Sequence, residues 1–155
     1  MHVVLVEPEI PPNTGNVARL CAATRTELHL IEPFGFKLDD AQLKRARMDY
    51  WKWVKWHRWT DWEAFRQGQP MDARFWFVES NGPQLYSEVT LGISDYLVFG
   101  RETAGLPKKL LEHNRDAWLR IPMFNAESRS LNLANCVALV LFEGLRQQGF
   151  PGAIG

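Results

Sequence analysis

The residues best suited to chemistry cluster in the last third of the chain. Gly100-Arg101-Glu102-Thr103-Ala104-Gly105 follows the apolar run Leu97-Val98-Phe99, Pro122-Met123 follows Arg120-Ile121, and the stretch Asn125 to Asn135 is rich in Ser and Asn. Each is a loop at the end of a short apolar run, and small residues there let the main chain approach a ligand closely. Such loops hold a flat, polar cofactor with backbone N–H and C=O groups rather than charged side chains. Near the N-terminus, Asn13-Thr14-Gly15-Asn16 and Arg19 set polar groups into a helical pattern. The sequence carries no Ser-His-Asp signature, no G-x-S-x-G, no P-loop and no G-x-G-x-x-G, which removes the commonest competing sites. His2, His29, His57 and His113 have no i,i+3 or i,i+4 pairing and no nearby Cys, so no metal site is expected. Cys21 and Cys136 each sit in a helical apolar pattern and read as small buried hydrophobes in a reducing compartment.

Taken in order, these segments resemble the three motifs of the SPOUT superfamily of RNA methyltransferases. The nearest resemblance is to the small tRNA 2'-O-methyltransferases that modify the wobble nucleotide, cytidine or uridine 34. It runs from about Val4 to Gly152 and includes Glu7-Pro8-Glu9-Ile10-Pro11-Pro12 and Gly149-Phe150-Pro151-Gly152. The resemblance implies methyl transfer from S-adenosylmethionine to a ribose 2'-hydroxyl, with Val78, Gly100, Ile121, Met123 and Ser130 holding the adenosyl group. It also implies that Arg19 acts in catalysis or holds the target phosphate, and that Asn132 lies at the junction of the two sites. The reaction is an in-line displacement that depends on positioning and on loss of the hydroxyl proton, with no metal required. A guanidinium keeps its proton, so a clamping and orienting role suits Arg19 better than that of a base.

The residues alone leave other readings open. Val78 and Ile121 read equally as strand core, Gly100 as a turn glycine, Arg19 as a solvated helix residue and Asn132 as a cap of the last helix. The resemblance further implies a C-terminal trefoil knot, which general topology disfavours, a homodimer whose first and last helices meet, and the tRNA anticodon loop as partner. A methyltransferase acting on ribosomal RNA and a non-catalytic RNA-binding relative are the alternatives. The former often carries an extra N-terminal domain; against the latter, Arg19, Gly100, Glu102, Ser130 and Asn132 are all intact. Two departures from the family pattern are Arg101, where a proline or small residue is usual, and Arg25, where glycine is common at a position that often needs positive φ.

The elements that must position these residues follow from composition and pattern. The chain has 155 residues and zero formal net charge, enough for one domain, residues 1–155, with a single sizeable core. The run Cys136 to Phe142 is too short to cross a bilayer and the start lacks a signal-peptide pattern, so a soluble cytoplasmic protein is expected. Val3–Val6, Glu27–Ile31, Arg74–Val78, Asp95–Phe99 and Ala117–Ile121 read as buried strands. Helices are expected over 15–23, starting under a cap from Asn13 or Thr14, and over 39–47, 60–67, 107–113 and 131–147. Near-continuous apolar strands alternating with helices imply an α/β fold: a mainly parallel sheet with helices on both faces. The last helix is apolar all round and needs two covers, its own sheet and either a second subunit or a thick core.

Charge is unevenly spread. Lys44, Arg45, Arg47, Lys52, Lys55 and Arg58 stand against Asp49 alone and are interleaved with Tyr50, Trp51, Trp53, Trp56 and Trp59. Basic groups with aromatic faces suit exposed nucleotides of an RNA loop, and Lys44, Arg45 and Arg47, with Arg120, are the expected RNA contacts. A solvated basic helix followed by an edge strand whose tryptophans pack on the body explains the same residues.

Overall fold

The computed structural model describes residues 1–37 and 49–154, and the helical pattern over 39–47 therefore lies outside the described residues. Seven strands form one sheet in the order β3-β2-β1-β6-β4-β7-β5: β1 His2–Val6, β2 Glu27–Ile31, β3 Trp56–Trp59, β4 Phe75–Val78, β5 Gln84–Leu85, β6 Tyr96–Phe99 and β7 Trp118–Arg120. Every pairing is parallel. The helices are α1 Pro11–Thr24, α2 Trp62–Gln67, α3 Lys108–Glu112 and α4 Leu133–Gln147, with short 3-10 turns at Asp49–Lys52 and Arg115–Ala117.

Side chains alternate across a strand, and here both sets are buried. Val3, Leu5, Leu28, Leu30, Leu97 and Phe99 pack with Val17 and Cys21 of α1 and Val137, Val140 and Leu141 of α4. Val4, Val6, Ile31, Phe77 and Val98 pack on the other face with Phe65 of α2 and Leu111 of α3. Two cores, one per face, explain why the strands read as continuous apolar runs. The Cys21 thiol, buried among them, is pushed up to about 12, so it packs as a small hydrophobe.

Within the described residues the expected elements form, with shifted ends. Helix α1 begins four residues early, at Pro11, because Pro11 and Pro12 occupy its first two positions, where no N–H is needed. Its N-cap is Ile10, which makes no side-chain cap, so Asn13 and Thr14 are not caps but buried residues of the first turns. Arg25 closes α1 in the left-handed region, at φ 53°, as its glycine-like position requires. Two edge strands lie beyond the five expected ones: β3, which only the edge-strand reading of the tryptophans anticipates, and the two-residue β5, too short to leave a pattern. In α4 the buried stripe is Leu133, Val137, Val140, Leu141 and Gly144. Phe142 and Leu139, on the remainder of this all-round apolar helix, face outward at 47% and 41% exposure.

Candidate active site and cofactor loops

In a parallel sheet all strands point one way, so the loops after β4, β6 and β7 emerge side by side at one end. The register aligns Val78 with Phe99 and with Leu119, which sets Val78, Gly100 and Ile121 at the ends of three neighbouring strands. Val78 and Ile121 are half-buried and rest on the core, which agrees with their reading as strand core and leaves part of each side chain at the loops. Met123 follows, 38% exposed, and Ser130 is exposed in the segment leading to α4.

Gly100 is required by the fold itself. A Cβ there would lie 2.2 Å from the carbonyl carbon of Gly105 and 2.3 Å from the nitrogen of Leu106. The loop 100–106 is thus folded onto its own backbone, closed by hydrogen bonds in both directions between Arg101 and Gly105, each 3.0 Å. Glu79, one residue beyond β4, accepts the Leu106 N–H at 3.0 Å and ties this loop to its neighbour. Gly105, at φ +67°, has no room for a side chain beside that carboxylate.

A second network joins all three motifs. Asn132 caps α4 by accepting N–H groups of Ala134 (2.9 Å) and Asn135 (3.4 Å), while its own amide donates to Asn13 Oδ1 at 2.9 Å. Asn13 in turn donates to Glu102 Oε1 at 3.2 Å, and Glu102 also accepts the N–H groups of Glu9 (2.9 Å) and Ile10 (3.1 Å). Thr103 answers with its hydroxyl and N–H to the Glu9 carboxylate, at 2.8 and 3.0 Å. Those hydrogen bonds hold the Glu9 carboxyl below its ordinary value. Asn132 is thus the cap of α4, and the same side chain ties that helix start to Asn13 of α1. The role of Glu102 as the acceptor that starts α1 was not legible in sequence, because its partners lie about ninety residues away.

Arg19 projects from α1 and is exposed. Arg101, the departure from the family pattern, pairs with Glu7 after β1. Arg120 donates from Nη1 to the carbonyls of Gly82 (2.9 Å) and Pro83 (2.6 Å), so it braces the loop between β4 and β5. Of the residues expected to meet RNA, Lys44, Arg45 and Arg47 lie outside the described residues. The interleaved tryptophans divide: Trp51 and Trp56 pack edge to face at 4.8 Å, Trp59 donates to His29, and Trp53 is 70% exposed with Lys52 over its ring at 5.2 Å.

Three of the four histidines, scattered in sequence, are gathered by strand register at the opposite end of the sheet, while His113 stays at the end of α3. His2 Nδ1 lies 3.2 Å from His29 Nε2, His57 stacks on His29 at 4.9 Å, and Glu27 meets both His57 (3.1 Å) and Lys55 (2.5 Å). His2, Glu27 and His29 stand close enough to share a cation. The Trp59 indole N–H, however, donates to His29 Nδ1 at 3.2 Å. The His29 proton must then sit on Nε2, facing His2, and a hydrogen-bond chain accounts for the contact. Burial and the neighbouring imidazoles lower His29 to about 3, so it is neutral in the fold.

Residues 1–142 match the model of the SpoU rRNA methylase family. A protein of Saccharophagus degradans named tRNA (cytidine(34)-2'-O)-methyltransferase is 48% identical over 153 residues, 98% of each chain. A solved structure described as "Structural insights into the 2-OH methylation of C/U34 on tRNA" superposes with a TM-score of 0.89 at 42% identity, over 96% of this chain and 95% of that one. An rRNA methyltransferase from Sinorhizobium meliloti, solved with AdoMet bound, has a TM-score of 0.81 at 26% identity and covers 94% of this chain, which spans 55% of that one.

Proposed function

The chain belongs to the SpoU rRNA methylase family, and on that premise we propose that it transfers a methyl group from S-adenosylmethionine to the ribose 2'-hydroxyl of nucleotide 34 of tRNA. The observation that carries this reading is end-to-end similarity to tRNA (cytidine(34)-2'-O)-methyltransferases, at 48% identity over 98% of both chains. The ribosomal RNA reading has weaker support, since this chain spans 55% of such a relative at 26% identity.

The loops fit the cofactor. Val78, Ile121 and Met123 supply apolar contact at the ends of adjacent strands, and the Gly100–Leu106 loop and Ser130 supply backbone and hydroxyl groups without a fixed charge. S-adenosylmethionine brings a methyl group already activated on a sulfonium. What remains for the protein is to place the ribose in line with it and to favour the developing alkoxide. Arg19, exposed on α1, holds the target phosphate and orients the hydroxyl. Asn132, fixed through Asn13 and Glu102, keeps the start of α4 beside the Gly100 loop, so cofactor and RNA sites are held in one geometry.

The protein works as a homodimer in which Leu139 and Phe142 of α4, with Ile10, meet a second copy; their exposure of 41–47% supports this. It is cytoplasmic, and its last third is threaded as a trefoil knot, a reading carried by the family resemblance alone. No helix among the described residues is long and apolar enough to cross a membrane. Lys44, Arg45, Arg47 and Arg120 contribute RNA contacts, Arg120 also through the loop it braces. Incubation with labelled S-adenosylmethionine and, separately, total tRNA and ribosomal RNA tests the assignment: label in tRNA alone supports it, and label in ribosomal RNA alone overturns it.

A further inference from the structure

Phe124 is 97% exposed, the most exposed aromatic side chain among those described. It belongs to the loop between β7 and α4, in which every residue from Pro122 to Asn132 is exposed. The loop is nonetheless tethered. Asn125 accepts the Ser128 N–H with its carbonyl (3.1 Å) and the Glu127 N–H with its side chain (3.0 Å), and Asn132 fixes the far end to Asn13 at 2.9 Å. A phenyl ring held out in water on a tethered loop contributes nothing to either core. Its immediate neighbour is Met123, at the cofactor loop, and Arg129 is exposed in the same segment.

Resting on the tRNA reading above, we propose that Phe124 is the stacking platform for the base of the target nucleotide. Proteins that recognise an RNA loop splay its bases out of their stack. The unstacked base then needs a new face, and an aromatic ring supplies it. Phe offers a π-face and no hydrogen-bonding groups, so it accepts cytosine and uracil alike, and Arg129 supplies a partner for the adjoining phosphate. The other strongly exposed ring, Trp53, lies beside the opposite edge strand β3, away from the loops after β4, β6 and β7.

The test uses the full-length protein and an anticodon stem–loop with a fluorescent cytidine analogue at position 34 whose emission falls on stacking. The wild type quenches it on binding; Phe124→Ala binds without quenching, with affinity reduced about 5- to 150-fold, the range of one base–aromatic stack. Phe124→Trp restores both. S-adenosylmethionine affinity by calorimetry and the sedimentation coefficient stay at wild-type values. The slope of log affinity against log salt also stays unchanged, since stacking releases no counterions. Quenching that persists in Phe124→Ala, or a change in sedimentation that marks the ring as a contact between copies, overturns the proposal. Failure of the wild type to bind the stem–loop at all, or to label tRNA, instead overturns the tRNA reading, and the proposal with it.

Discussion

Replacing Glu102 by Ala removes a single carboxylate on which three donors converge: the N–H groups of Glu9 and Ile10 and the amide of Asn13. Hydrogen bonds to a charged group are worth about 1.5–3 kcal/mol each. Glu102 is only half-buried and the Ile10 N–H lies at the surface, so water takes over part of the loss. The remaining cost is about 2–3 kcal/mol, or a fall in Tm of roughly 4–12 °C for a chain of this size. Turnover should fall further than stability accounts for, because Asn132 and the start of α1 are no longer held against the Gly100 loop. Because Asn13 bridges the two side chains, Glu102→Ala and Asn132→Ala should not be additive, with an interaction energy of about 0.5–3 kcal/mol in the double variant. Thermal denaturation of wild type, both singles and the double measures this directly. Additivity within about 0.5 kcal/mol, or an unchanged Tm in Glu102→Ala, would refute the joined network.

Three further outcomes are expected. Arg19→Ala should bind S-adenosylmethionine as the wild type does but turn over tRNA about 10- to 150-fold more slowly, the value of one charged hydrogen bond; wild-type turnover would remove Arg19 from the site. Gly100→Val should abolish cofactor binding in calorimetry and also lower Tm, because its side chain strikes the Gly105–Leu106 backbone; normal binding would show that the pocket lies elsewhere. His29, lowered to about 3 by burial, binds fewer protons folded than unfolded. Its contribution to stability is therefore complete above about pH 6.5 and is lost as pH falls towards 3, by at most about 1.4 kcal/mol per unit. His29→Gln should flatten the pH dependence of denaturant midpoints between pH 6 and 4, and an unaltered slope would contradict the neutral histidine chain.

Much of this architecture is legible in the sequence because β1, β2 and β6 are buried along nearly their whole length, and β4 and β7 set a buried residue between half-buried neighbours, so their apolar residues carry the signal. Strand β3, Trp56–Trp59, carries it poorly: at an edge, its His57 and Arg58 serve Glu27 and Glu32. The candidate site divides in the same way. Gly100 and Asn132 stand out by type and motif, although the glycine already answers to its own loop. Glu79, the partners of Glu102 and the His2–His29–His57 cluster have no local signal, because each contact is made only when the strands are aligned.

The most direct measurement is nucleoside mapping. After incubation with S-adenosylmethionine and unmodified tRNA, nuclease digestion and mass spectrometry should place one added methyl group on the ribose 2'-oxygen of nucleotide 34, as cytidine or uridine. A methyl group on a base, or on the ribose of any other nucleotide, would contradict the proposed reaction.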